Sequence, residues 1–505
     1  MKPFCLVSLL LLVSTAFAQA PAKKSATGSA EQRTAKYFES IKSDPLALRE
    51  FLFNLPKGGD LHNHMSGAVY AESYIQWAAE DGWCVNKETL YIVRPQAAGA
   101  CDMAKERSAE DAFSDPSLYA AMVDAMSVRQ WDAARKPGQY QFFESFNRFS
   151  ALAASRLGDA FAESRRRSAA QNLHYLELIV QLDQARALIE APKKLQWKEA
   201  GGMPDFADMH RQLATAGLFS EKRSALLDKA EAAMNSSLEC SASKPDKACA
   251  MPIRYQCQVL RAFPRESVFA QIAFCFELAN SDPRVVTLNL VQPEDWAVPV
   301  RDFELHMRII DYFHTKFPNL KITLHAGELG FGQVPPNVLG YHIPLSIDTG
   351  HAQRIGHGTD VMYHPRAQDI LQEMAQKNIA VEVSPSSSKY ILGLTGNRHP
   401  FRQYLKAGVA VVIATDDEGV SRSDITNEYQ QAVEQHGLNY TEIKKISLDS
   451  LEYGFLAGES LKTCDAKTPK PLPYAANCDT VTKSSEKAAA QWKLRQAFIA
   501  FEKNY

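Results

Sequence analysis

Two histidines separated by a single residue, His62 and His64, stand in the stretch GGDLHNHMSG, directly after a short apolar run. Side chains at positions i and i+2 of a β-strand point to the same side, so both imidazoles can face one point. Zinc in catalytic sites takes nitrogen and oxygen ligands at about 2 Å and keeps one position open for water. The pair therefore indicates half of a metal site, although two solvated histidines on an exposed strand would show the same spacing.

Other reactive side chains follow later apolar runs of the chain. His325 and Glu328 stand in KITLHAGE, His357 in QRIGHGTD, and Asp416 and Asp417 in VAVVIATDD. A third histidine and a carboxylate would complete a zinc ligand set, and His325 and Asp416 are the candidates. Glu328 could be a carboxylate at a helix start and Asp417 a helix N-cap, but their positions favour catalysis for Glu328.

The elements that must position these side chains are eight short apolar runs, which alternate with stretches that are mostly long enough for helices. The runs are GDLHNHM, LHYLELIV (173–180), IRYQCQVL (253–260), RVVTLNLV (284–291), KITLHAGE (321–328), QRIGHGTD (353–360), IAVEVSPS (379–386) and VAVVIATDD (409–417). Such alternation predicts an α/β fold, a TIM-like (β/α)8 barrel. Catalytic groups of such barrels lie at the C-terminal strand ends, so all the candidates are expected in one pocket.

Two connections are far longer than ordinary loops. They follow the first and second strands, and large helical insertions are predicted at about 71–171 and 181–252. The first contains Phe142, Phe143, Phe146 and Phe149 at helical spacing. We interpret these rings as core packing rather than as an aromatic cofactor site.

The N-terminus has the pattern of a signal peptide over residues 1–18. Lys2 precedes the apolar run FCLVSLLLLV, and Ala16 and Ala18 fit cleavage after Ala18. The run is shorter than the roughly 20 residues that span a bilayer, and no later segment qualifies, so no membrane span is predicted. Residues 19–35 are small and polar and predict a flexible leader, followed by a metal-dependent barrel domain over 36–505. We expect export, to the periplasm or as a secreted protein.

Removal of the leader leaves eight of the nine cysteines, an even number that favours disulfides in an exported chain. Cys257 and Cys275 could form a bond or remain buried thiols. Three short-range pairings suggest themselves among the other six: Cys84 with Cys101, Cys240 with Cys249, and Cys464 with Cys478.

The charge balance bears on the kind of partner. The chain has 56 basic and 58 acidic residues and a formal net charge of -2. No electrostatic footprint for nucleic acid or an anionic membrane is visible, so the expected partner is a small molecule. A homodimer is compatible with the sequence, which does not encode the oligomeric state.

The chain resembles the adenosine deaminase family of the amidohydrolase superfamily and, within it, the exported growth-factor-like group. The resemblance runs in the family's order from Pro56 to Tyr429. It is carried by PKGGDLHNHMSGA, RVVTLNLVQPED, KITLHAGE, RIGHGTD, VEVSPSSS and VIATDDEGVSRSDITNEY.

The resemblance implies a zinc-dependent mechanism of hydrolytic deamination. Hydroxide formed on the metal would attack C6 of a purine nucleoside, and ammonia would leave. Glu328 would share a proton with ring N1, His357 would orient the attacking water, and Asp417 would accept a hydrogen bond from the N7 side or order the water. One zinc ion per chain would be held by His62, His64, His325 and Asp416.

The resemblance also implies that His64 and Asp417 contact the substrate. Two other substrate-binding positions depart from the family's pattern. Ser66 stands where many cytosolic relatives have an aspartate for the ribose 5′ hydroxyl, and Gln292 stands where relatives have a glycine whose N–H approaches purine N3. Neither departure affects the residues that the resemblance assigns to the deamination reaction itself. The resemblance predicts conversion of adenosine and 2′-deoxyadenosine to inosine and 2′-deoxyinosine.

Two other functions remain open at this stage. One is a different hydrolase of the superfamily, or a deaminase of another aminated purine. Binuclear relatives bridge two metals with a carboxylated lysine, which LNLVQPED does not offer, so a single metal is favoured. The other is a secreted binding or signalling protein on the same scaffold, against which the retained ligands and the Glu328–His357 pair argue.

Overall fold

The computed structural model of the protein describes residues 28–505, apart from 97–99, 132–137, 183, 201–202, 220–223 and 463–477. The predicted signal peptide lies outside the described residues, and so does Cys464.

Within the described residues, eight parallel strands follow one another along the chain with helices between them. Their apolar runs are buried almost throughout, as is typical of parallel strands covered on both faces. The strands are β1 (Lys57–His64), β2 (Leu173–Val180), β3 (Ile253–Leu260), β4 (Val285–Val291), β5 (Thr323–Ala326), β6 (Arg354–His357), β7 (Ala380–Val383) and β8 (Val411–Ile413).

The helices of the described chain surround these strands or belong to the two long connections. They are α1 (Ala30–Ile41), α2 (Pro45–Asn54), α3 (Met65–Ala68), α4 (Ala71–Glu80), α5 (Pro116–Ala125), α6 (Gly138–Ser155), α7 (Leu157–Ala170), α8 (Phe206–Thr215), α9 (Ala225–Ser237), α10 (Arg265–Ser281), α11 (Ala297–Lys316), α12 (His342–Asp348), α13 (Ala367–Gln376), α14 (Pro385–Leu392), α15 (Phe401–Ala407), α16 (Ile425–His436), α17 (Tyr440–Tyr453), α18 (Cys478–Ser484) and α19 (Glu486–Glu502). No helix in this part of the chain is long and apolar enough to cross a membrane.

The strands form two four-stranded parallel sheets, β1-β2-β3-β4 and β5-β6-β7-β8. At the β1–β8 seam, His64 N donates to Asp416 O at 3.0 Å and Asp416 N donates to His62 O at 2.8 Å. At the β4–β5 seam, Thr323 N donates to Thr287 Oγ1 at 3.2 Å. Contacts at both seams close the sheets into the predicted (β/α)8 barrel.

The first connection, between β1 and β2, contains α3 to α7 and a small antiparallel sheet of Cys84–Asn86, Ile92–Val93 and Glu106–Ser108. The second contains α8, α9 and a hairpin of Glu199–Ala200 and Met203–Pro204. Disulfides join Cys84 to Cys101 and Cys240 to Cys249, as predicted, and a third joins Cys257 of β3 to Cys275 of α10. The alternative that the last two are thiols is therefore wrong.

The predicted flexible leader, 19–35, extends too far at its C-terminal end. Helix α1 begins at Ala30 and starts with a capping box, in which Ser29 and Gln32 each accept the other's backbone N–H. Phe38 of this helix is fully buried, with its ring centre 5.2 Å from that of Phe51. Capping and burial explain why the small polar composition of residues 30–35 does not prevent helix formation.

A buried ion pair network crosses the barrel. Arg354 Nη2 lies 2.5 Å from Glu177 Oε2, and Arg354 Nε lies 2.5 Å from Glu382 Oε1, with all three side chains fully buried. Burial by itself would raise the pKa of Glu382, but the charge of Arg354 and a hydrogen bond with His62 lower it to about 2. The arginine therefore keeps a carboxylate ionised inside the barrel.

We expect the Arg354→Met variant to lose about 3–5 kcal/mol of unfolding free energy, because two buried carboxylates lose their cation. Denaturant unfolding of metal-free protein measures this. The control is Arg301→Met, since Arg301 is exposed and pairs with Asp302; a much smaller change in unfolding free energy is expected there. Equal losses in the two variants would contradict the role of Arg354.

Candidate active site

Three imidazoles and one carboxylate converge at the C-terminal end of the barrel. His325 Nε2 lies 3.0 Å from His62 Nε2 and 3.2 Å from His64 Nε2. Asp416 Oδ1 lies 3.2 Å from His64 Nε2 and 3.5 Å from His62 Nε2. This carboxylate oxygen is buried and has no hydrogen bond within the described chain. The four residues proposed from sequence as metal ligands are thus brought together, and a single divalent cation among these atoms would satisfy the donors.

Second partners of two imidazoles fix the direction in which their free nitrogens point. His62 Nδ1 lies 2.7 Å from Glu382 Oε2, and His325 Nδ1 lies 2.8 Å from Asn289 Oδ1. When Nδ1–H donates to these oxygens, Nε2 keeps its lone pair for a metal. Neither Glu382 nor Asn289 was assigned a role from the sequence. The available signal was a polar residue inside an otherwise apolar strand.

His357 lies beside the four donors, and its ring makes no hydrogen bond to the described side chains. Its ligand atom is within 4.8 Å of those of His62, His325 and Asp416. Burial lowers the pKa of His357 to about 3, so the ring is neutral, and neither ring nitrogen has a hydrogen-bond partner among the described residues. Its φ of 67° lies in the strained left-handed region. The ring is therefore available to a water or substrate next to the metal position.

Glu328 follows β5, and its Oε1 lies 3.7 Å from His357 Nε2. Burial, and then the charges of Asp416 and Glu294, raise the pKa of Glu328 well above its usual value, so this carboxyl group can carry a proton to a substrate. Its backbone is held by Glu294, whose carboxylate accepts from Gly327 N at 2.9 Å and Glu328 N at 2.8 Å. The positioning role of Glu294 was also missed in the sequence, although it stands in the quoted stretch LNLVQPED.

Asp417 lies against the loop that follows β1. A Cβ atom added to Gly67 would lie 1.6 Å from Asp417 Oδ1, so only glycine leaves room for this carboxyl group. Burial and the neighbouring charge of Asp416 raise the pKa of Asp417 well above its usual value. In its protonated form Asp417 would donate a hydrogen bond, whereas the sequence predicts that it accepts one or orders the water.

The two remaining substrate-binding candidates, Ser66 and Gln292, line the same cavity as His64 and Asp417. Gln292 Oε1 accepts from Ala262 N at 2.9 Å, so its side-chain oxygen is engaged by the loop after β3. The φ of Gln292 is 85°, a conformation that favours glycine. The backbone therefore keeps a glycine-like turn even though the residue is a glutamine.

The cavity has a volume of about 510 Å³, which suits a small organic molecule. One wall comes from the first insertion, since Phe142, Phe143 and Phe146 of α6 line it. Phe149 packs in the core as predicted, with its ring stacked on Tyr74. The prediction of core packing is incomplete for the other three rings, because α6 passes beside the barrel opening and presents them to the cavity.

We expect the Asn289→Leu variant to bind its metal about 10- to 100-fold more weakly, because His325 loses the acceptor that orients its ring. Competition with a chromogenic chelator gives the affinity. Asn54→Leu, a change at an exposed position of α2, is the control and should leave it unaltered. An unaltered affinity in Asn289→Leu would show that the ring is held by other contacts.

Comparison with known proteins gives matches of two kinds. Residues 225–465 match the family model for adenosine deaminase. The adenosine deaminase of Clostridium botulinum (strain Langeland) is 35% identical over 143 residues, which are 28% of this chain and 39% of that protein. The adenosine deaminase of Shewanella loihica is 29% identical over 144 residues, 28% of this chain and 40% of that protein. The chain thus spans about two fifths of these relatives.

Solved structures resemble the fold at low sequence identity. An amidohydrolase with bound zinc from Burkholderia ambifaria has a TM-score of 0.52 and 16% identity, over 90% of this chain and 94% of that one. The adenine deaminase of Arthrobacter aurescens has a TM-score of 0.50 and 16% identity, over 81% and 96%. The chain is thus similar in sequence to adenosine deaminases over part of its length, and similar in fold to these solved structures.

Proposed function

We propose that this protein is a zinc-dependent deaminase that converts adenosine and 2′-deoxyadenosine to inosine and 2′-deoxyinosine and releases ammonia. The observation that carries the proposal is the meeting of three imidazoles and the Asp416 carboxylate beside the buried carboxyl group of Glu328. The match of residues 225–465 to the adenosine deaminase family model supports a deaminase, and the cavity's size suits a nucleoside.

One zinc ion per chain is the proposed cofactor. A set of three nitrogens and one oxygen is typical of zinc, and the bound zinc of the Burkholderia amidohydrolase supports the same choice. Zinc, when bound, lowers the pKa of a water molecule towards neutrality and so supplies the nucleophile. The proposed ligands are His62, His64, His325 and Asp416.

The other side chains act on the purine. Glu328 gives its proton to ring N1, which withdraws electron density from C6 and prepares that carbon for attack. His357, neutral and unpaired in the free site, holds the attacking water in line with C6. Asp417, protonated, donates to N7, which is a hydrogen-bond acceptor in adenine.

The rest of the substrate would lie against the insertion. The rings of Phe142, Phe143 and Phe146 offer apolar surface to the base and sugar, and the Ser66 hydroxyl is the neighbouring polar group for a sugar hydroxyl. A serine binds a hydroxyl less strongly than a carboxylate does. We therefore expect weaker dependence on the 5′ hydroxyl than an aspartate at this position would give.

Export is part of the same proposal. Disulfides persist in oxidising compartments, and the described residues contain three of them. We propose that the enzyme acts outside the cytoplasm, on nucleosides of the periplasm or the surroundings.

We expect Glu328→Gln to retain zinc and to lose turnover by about 100- to 10,000-fold, because glutamine cannot transfer a proton to N1. The assay follows the ultraviolet absorbance of adenosine together with ammonia release, and elemental analysis gives the zinc content. The panel also includes 2′-deoxyadenosine and adenine, so that a deaminase of a different purine would be recognised.

The control for this variant is Glu304→Gln, since Glu304 is exposed on α11 and pairs with Arg308. It should turn over adenosine as the unmodified protein does. A zinc-loaded protein that leaves both nucleosides untouched would defeat the proposal, and so would a Glu328→Gln variant with full activity.

A further inference from the structure

We propose that Arg167, in the insertion after β1, is a positioning residue that holds the β1-end and β8-end loops together and thereby sets the geometry of the metal donors. The part of this inference that concerns turnover rests on the proposed function, whereas the part that concerns metal affinity does not.

The guanidinium of Arg167 is engaged on both loops at once. Its Nη2 donates to Ala68 O at 2.6 Å, and its Nε donates to Glu418 Oε1 at 3.1 Å. Glu163, one turn earlier on α7, accepts from Nη1 at 3.0 Å. Its Cζ atom also lies 4.5 Å from the ring centre of Tyr70. Because the guanidinium group is planar and rigid, its hydrogen bonds in several directions hold the partner groups at fixed distances from one another.

The two partners are close in sequence to the metal donors. Ala68 ends α3, the short helix that follows His64, and Glu418 comes directly after Asp416 and Asp417. Neither Arg167 nor Glu418 is among the residues that line the cavity. Arg167 therefore acts on the site through the loops, without contact with the substrate.

The loops after β1 and β8 are packed so closely that a small change in their separation would disturb their contacts. Gly419 N and Val420 N donate to Gly67 O at 2.9 and 3.0 Å, and Gly67 has no space for a Cβ beside Asp417. Asn63 adds a link from β1, since its Nδ2 donates to Thr415 Oγ1 at 2.8 Å. A change in loop separation would displace Asp416 from His64 and Asp417 from Gly67 together. By joining the two loops, Arg167 thus affects the positions of two functional groups.

The neighbouring arginines show which contacts are general and which belong to the seam. Arg165 donates to Met251 O at 2.6 Å, and Arg166 donates to Asp246 Oδ2 at 2.9 Å. Both partners lie in the second insertion, away from the strand ends that carry the metal donors. Of these three consecutive arginines, Arg167 alone reaches the β8-end loop.

The test compares Arg167→Met with Arg167→Lys and with the matched control Arg166→Met, made on the same helix at an exposed position. Zinc affinity is measured by chelator competition, kcat and KM are measured with adenosine, and thermal unfolding is recorded for each variant. Methionine keeps much of the apolar stem but removes every donor. Lysine keeps the charge without the fork.

We expect Arg167→Met to bind zinc about 10-fold or more weakly and to lose kcat by a larger factor than KM changes. Arg167→Lys should recover part of both losses, and Arg166→Met should match the unmodified protein. A second variant, Glu418→Gln, keeps the loop's shape while weakening the same contact and should shift zinc affinity in the same direction.

The inference would be overturned if Arg167→Met only melted at a lower temperature while its folded fraction kept normal zinc affinity and kcat. A purely structural ion pair gives that result. If the proposed function were wrong, the unmodified protein would bind zinc but would not deaminate adenosine. The zinc affinities of the variants would still test the positioning role of Arg167.

Discussion

Each of the four donor atoms, which come from the ends of three strands, lies within 3.5 Å of two others inside the barrel, and this close approach is unfavourable until a cation joins them. Contacts with other protein groups must therefore hold these side chains in place when no ion is bound. Glu382 and Asn289 hold two of the rings through Nδ1. The two rings are therefore oriented by contacts within the protein.

Glu382 connects the site to the stability of the fold. One of its oxygens contacts His62 and the other contacts Arg354, which also pairs with Glu177 across the interior. The same carboxylate therefore orients a metal donor and balances a buried arginine. A replacement at this position would disturb both functions.

The site residues that lie at strand ends could be predicted, because their placement follows from the position of each residue within its own strand. Parallel strands in a barrel all end on one face, so histidines and carboxylates at the ends of apolar runs had to come together. The partners could not be predicted in this way, because pairing Glu382 with His62 requires the register between distant strands. Arg167 and Glu418 are 251 residues apart, and no periodicity relates them. The aromatic wall depended on the path of α6, which composition does not specify.

The seam between β1 and β8 also determines when the ligand set becomes complete. Asn63 and Thr415, which meet there, are separated by 352 residues, and bringing such distant segments together is among the slowest parts of folding. Before this seam forms, His62 and His64 are the only two of the four proposed ligands that lie close together, because they are neighbours in the sequence. We expect the ion to be captured tightly only at the end of folding, so that metal loading takes place with the ions of the compartment in which the chain folds.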